Sequence, residues 1–161
     1  MGADRETFVE FSAELTGYSA TDLEGTGLVD AYLTLADDQL GSAFMATFFT
    51  NARLVLRHRG PAARAKAMRI VILASPTLWP AAAALITLWY TGSWTTPAPA
   101  GAPPNKAIVP SAQAYEQQLA FRAAGAHPPG ASPTGHGSWA IPPVFGDVSK
   151  PAARPAARRS R

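Results

Sequence analysis

An all-α fold is predicted for this chain: a small bundle of about five to six helices, ending in an extended, irregular C-terminal tail. Three observations predict it. Apolar residues recur at three- and four-residue spacing through the first ninety positions, as on one face of a helix. Gly17, Gly60-Pro61, Ser75-Pro76 and Gly92 punctuate that pattern at intervals suited to helices. Finally, 12 of the 15 prolines lie from Pro97 onward, so regular structure should give way to loop in the back half. With 161 residues, 47% of them hydrophobic, one domain with a sizeable core is the expectation.

The first helix is predicted over residues 4–16, from the spacing of Phe8, Phe11 and Leu15 and the stop at Gly17. Thr21 and Glu24 then form a capping-box pattern that opens a second helix through Leu28, Ala31, Tyr32 and Leu35. Asp37 and Asp38 suit the start of a third, whose stripe is Leu40, Phe44, Phe48, Ala52 and Val55. The run Arg57, His58, Arg59, Gly60, Pro61 ends that helix with positive charge at its C-terminal pole. The pattern resumes from Ala62 to Ala74, breaks at Ser75-Pro76, and continues after Pro80 as a strongly apolar helix to Thr91, capped by Gly92.

Residues 70–90 contain no charge and are long enough to span a bilayer as one helix. Pro76 and Pro80 interrupt the middle and Ser75, Thr77 and Thr87 are polar, so two buried core helices are the preferred reading. A membrane anchor formed by residues 70–90 stands as an alternative. The expected organisation is a helical body over 1–92, a Pro/Ala/Gly-rich linker over 93–110 that must travel over a surface, and an additional helix of the same domain over 111–124. An irregular partner-wrapping segment covers 125–149 and a disordered basic tail 150–161.

The sequence pI of about 9.6 invites a nucleic-acid reading. However, five of the 14 basic residues sit in the terminal stretch 150–161. Without it 9 basic residues face 11 acidic ones, a net charge of −2, so the folded body carries no basic excess to present to phosphates. The absence of cysteine excludes disulfides, thiolate metal sites and cysteine-ligated clusters within this chain. Residues 1–6 show neither a basic nor an apolar leader pattern.

Chemistry needs convergent titratable groups, and residues 39–115 contain no Asp or Glu. The acids gather instead at expected helix starts, where the helix dipole explains them. His58, His127 and His136 show no metal-ligand spacing, and no dinucleotide fingerprint, P-loop or nucleophile elbow occurs. No catalytic, cofactor-binding or metal-binding residue is therefore assigned. The aromatic set Trp79, Trp89, Tyr90, Trp94 and Trp139 remains. Trp79 and Trp89 read as core packing. Trp94 and Trp139 lie in loop sequence, where a large ring either folds back onto the body or anchors to a partner.

The segment Leu88-Trp89-Tyr90-Thr91-Gly92-Ser93-Trp94, the helix carrying Tyr115 to Phe121, and the stretches Gly125-Ala126-His127-Pro128-Pro129-Gly130 and Gly137-Ser138-Trp139-Ala140-Ile141-Pro142-Pro143 resemble a known family. It is the small subunit of membrane-bound, FAD-dependent sugar and polyol dehydrogenases of the sorbitol, fructose, glucose and gluconate type. The stretch from Phe8 to Tyr18 resembles the opening helix of that family. The resemblance implies a non-catalytic accessory subunit without a redox centre. Its partner would be a large subunit of glucose–methanol–choline type that holds FAD and, in many versions, an iron–sulfur cluster, with a cytochrome c subunit as a further component. It also implies periplasmic residence and membrane association only through the complex. The partner interface expected on this reading comprises Tyr90, Trp94, Tyr115, His127, Pro128, Trp139, Ile141 and Pro142. A stand-alone small enzyme using His127 is the other alternative.

Overall fold

Phe8 and Phe11, three residues apart on the first helix, occupy the centre of the protein. Both are buried, with helices arranged on all sides of the turn between them. The computed structural model describes residues 2–95, 106–126 and 128. Among them the elements are α1 (Gly2–Thr16), α2 (Ala20–Glu24), α3 (Val29–Leu40), α4 (Ser42–Leu56), α5 (Pro61–Met68), a π turn (Arg69–Leu73), α6 (Leu78–Thr91), α7 (Ala112–Glu116) and α8 (Leu119–Ala123). The fold is all-α, as predicted. The extended pairing among the described residues is a single antiparallel bridge between Trp94 and Ile108.

α1 ends where its sequence directs, at Gly17, and packs against α2, α3, α4 and α6. Phe11 meets Phe48 of α4 edge-on at 5.4 Å, while Phe8 approaches Trp89 of α6 at 6.4 Å. Tyr32 of α3 stands edge-on to Trp89 at 4.8 Å, which joins α1, α3, α4 and α6 through one run of rings. Burying each such side chain stabilises the fold by about 1.5–3 kcal/mol. On the surface, Arg53 donates to Asp4 at 2.6 Å, Arg64 to Glu14 at 2.5 Å, and Arg5 to Asp30 and Glu24 at 2.8 and 3.2 Å. These exposed pairs contribute roughly 0.2–1 kcal/mol each, so they orient the helices more than they hold them.

Several expected boundaries move. The capping box is Ser19 with Asp22: the Ser19 hydroxyl accepts from Asp22 N at 3.1 Å and the Asp22 carboxylate accepts from Ser19 N at 3.2 Å. Thr21 therefore lies inside α2, and that helix stops at Glu24 instead of running to Leu35. A turn through Thr26 and Gly27 then leads into α3. Hydrogen bonds from the Ser19 side chain and backbone hold the Asp22 carboxyl below the usual carboxylate range. Asp37 and Asp38 fall in the last turn of α3. The break comes at Gly41, whose φ of +82° few other residues adopt, and Asp37 accepts from Ser42 Oγ at 3.0 Å across that break.

The apolar stretch 70–90 is divided. α5 widens into the π turn, closed by Ala74 N donating to Arg69 O at 3.0 Å, and Ser75-Pro76 stops it. α6 then leaves at 115° to the α5 direction, with Pro80 in its first turn where a missing N–H costs little. No helix among the described residues is long and apolar enough to cross a membrane alone; α5 with the π turn and α6 pass that test together, bent as they are. Trp89 is core, as expected. Trp79 is not: it is 43% exposed in the first turn of α6.

Candidate functional site

The C-terminal end of α6 is where the residues of the distinctive Leu88–Trp94 segment meet the later part of the chain. Leu88 and Trp89 point inward and are buried. Tyr90, one position round the helix, is half-buried; its hydroxyl donates to Thr16 O at 2.9 Å and its ring lies edge-on to Tyr18 at 6.3 Å. Gly92 caps the helix with φ +66°. A Cβ there would press into the Ala114 carbonyl, 2.7 Å from its carbon, so the backbone of α7 passes over this glycine at a distance no side chain permits. Trp94 then exchanges two hydrogen bonds with Ile108, at 2.8 and 3.0 Å, and its side chain is 2% exposed.

The segment after the linker is seated by short polar ties. Ser111 caps α7 by accepting from Ala114 N at 3.1 Å, and Gln113 Nε2 donates to Thr26 O at 2.9 Å. The single helix expected over 111–124 is broken at Gln117 and Gln118, where Gln118 takes ψ +137°. That break lets Ala114 of α7 and Leu119 of α8 both become buried. Gln118 Nε2 donates back to Tyr115 O at 2.9 Å, Tyr18 Oη donates to Leu119 O at 3.5 Å, and Tyr115 and Phe121 face each other edge-on at 5.8 Å. α7 and α8 thus close the end of α6.

Of the residues expected at a partner interface, Tyr90, Trp94 and Tyr115 are brought to this one end. Trp94 is taken up by the chain's own body, because its flanking backbone pairs with Ile108 and turns the indole inward. As an exposed anchor it is corrected. Tyr90 and Tyr115 are half-buried, and so is Pro128. His127, Trp139, Ile141 and Pro142 lie outside the described residues.

Elsewhere the surface is shallow. An open groove of about 500 Å³ between α1 and α4 is bordered by Glu6, Glu10, Arg53 and Arg57. Among the described residues no three His, Asp or Glu side chains converge as metal ligands would. Three buried polar atoms, Ser12 Oγ, Tyr32 Oη and Trp89 Nε1, have no hydrogen-bond partner among the described residues. Burial pushes the Tyr32 phenol well above its ordinary range.

Sequence reasoning missed a second surface. Ile70 and Leu73 of the π turn and Trp79 in the first turn of α6 are 64%, 42% and 43% exposed. Exposed Lys66 and Arg69 accompany them, and His58 shares a groove with Lys66 and Ile70. The lack of any acid in residues 39–115 was a signal for this patch; the positions of the apolar side chains were not, since the π turn shifts the helical periodicity.

No family model, curated protein or solved structure matches this chain.

Proposed function

We propose that this chain is a non-catalytic accessory subunit that binds and stabilises a large FAD-dependent dehydrogenase of glucose–methanol–choline type, acting on a sugar or alcohol on the periplasmic side of the membrane. The observation that carries this reading is the construction of the α6 terminus. The Leu88–Trp94 segment, one of the two stretches that carry the family resemblance, is covered by α7 and α8, and residues 127–143, which carry the other, follow α8 in the sequence. A rigid seat joined to a segment carrying Trp139, Ile141 and Pro142 suits a subunit that grips a partner through a few large side chains.

In this reading FAD, any iron–sulfur cluster and the electron path to a cytochrome c subunit belong to the partners. This chain contributes by mass action: binding the folded large subunit and not its unfolded form stabilises it by about 4 kcal/mol at a thousandfold excess over Kd. Tyr115 and Pro128, both half-buried, are the partner-facing candidates among the described residues, and Trp139 serves as the principal anchor. Trp94 acts inside the body, holding the seat together.

The test is co-purification of the tagged full-length chain from its native host, with a visible spectrum of the eluate. A larger protein with flavin absorption is the expected result, and Trp139→Ala should weaken its capture by about 2 kcal/mol or more. A colourless chain eluting alone would overturn the proposal.

A further inference from the structure

The bend between α5 and α6 exposes apolar side chains that the body could have used. α6 itself faces the core through Leu85, Leu88 and Trp89. What remains exposed around the bend is Ile70 and Leu73 of the π turn and Trp79 at the start of α6. A tryptophan beside two branched aliphatics, flanked by cations, is the composition that settles at the boundary between lipid headgroups and acyl chains.

The charges agree. Arg57, Arg59, Lys66 and Arg69 are exposed and form no ion pair among the described residues. Glu14, which borders the groove next to Arg69 and Leu73, is already engaged by Arg64. With no acid in residues 39–115, nothing on these elements opposes a negative surface. The other acids of the body lie on α1, α2 and α3, and Glu116 on α7.

We propose that the exposed residues of the π turn and the start of α6 dock this chain directly on an anionic lipid surface: Ile70, Leu73 and Trp79 enter the interface, and Lys66 and Arg69 reach the headgroup phosphates. Exposed apolar groups suit a deformable bilayer, and the uncompensated cations select an anionic one. This docking is independent of the flavoprotein reading, because it requires no second protein.

The experiment is sedimentation of the purified full-length chain with vesicles of phosphatidylglycerol and phosphatidylcholine, against vesicles of phosphatidylcholine alone. Binding to the anionic vesicles that weakens with salt is expected. It should fall about tenfold or more in Ile70→Ser/Leu73→Ser and in Lys66→Glu/Arg69→Glu. Lipids brominated on the acyl chain should quench the native emission, and that quenching should shrink in Trp79→Phe, a substitution mild enough to keep the fold. A variant with Arg154, Arg158, Arg159 and Arg161 changed to Gln should keep the dependence on the bend. Equal binding by the native chain and the bend variants overturns the proposal, as does binding lost solely in the tail variant. Loss of flavoprotein capture in the bend variants with vesicle binding unchanged would equally overturn it.

Discussion

The two ends of α6 are built on opposite principles. At its C-terminus every large group is turned inward and tied: Tyr90 to Thr16, Trp94 to Ile108, and Gly92 beneath the α7 backbone. At its N-terminus Trp79 is 43% exposed, and the π turn before it exposes Ile70 and Leu73, with cations that no acid pairs among the described residues. About 21 Å of helix separates a closed end from an open one. The same residue type therefore performs different work by position: Trp89 and Trp94 stabilise the fold, while Trp79 leaves about 2 kcal/mol of apolar burial unclaimed by the body.

Breaking the closed end should have the largest effect. Gly92→Ala combines a left-handed backbone with a Cβ driven against Ala114, and is expected to cost about 3 kcal/mol or more, read as a lowered Tm with loss of protection at α7 and α8 in hydrogen exchange. Tyr90→Phe removes one hydrogen bond that bridges 74 residues of sequence and should cost about 1 kcal/mol by denaturant titration. Tyr32→Phe should have the opposite sign, stabilising by about 1 kcal/mol, because its hydroxyl is buried without a partner among the described residues. Since burial raises the folded-state pKa of Tyr32, stability from its protonated phenol is complete below about pH 10 and lost as pH rises beyond that. Alkaline unfolding should accordingly be shallower in Tyr32→Phe than in the native chain. At the open end, Ile70→Ser and Trp79→Ser should alter Tm by the equivalent of about 0.5 kcal/mol or less. A large drop in either would mean that the bend is part of the core after all.

The closed end is half legible in the sequence. Gly17 and Gly92 announce their helix ends, and Phe8, Phe11 and Trp89 announce the core, because both signals are local. The seat made by Gly92 beneath Ala114 is not legible, since it depends on two residues that only tertiary packing brings together. Asp37 and Asp38 mislead for a related reason. Acids favour helix starts, but Asp37 here serves the start of α4 from the end of the preceding helix, through Ser42. Ser19 and Thr21 offer overlapping caps, and local chemistry does not choose between them. Trp94 reads as loop, where either fate of its ring is open, and pairing with Ile108 decides it. The seam at Gln117 and Gln118 carries no proline or glycine, so nothing nearby marks it. Of the residues expected at an interface, Tyr90, Trp94 and Tyr115 lie at one end of α6, a proximity that no sequence signal announced, and Trp94 belongs to the interior.

The Trp94–Ile108 bridge separates continuity of the chain from cohesion of the fold. Backbone bonds hold both sides of the junction, and Gln113, Ala114 and Leu119 fix α7 and α8 beyond it. The described contacts therefore hold α7 and α8 to the body independently of chain continuity. Cut between those contacts, the two pieces are expected to reassemble through them in a way that depends on concentration.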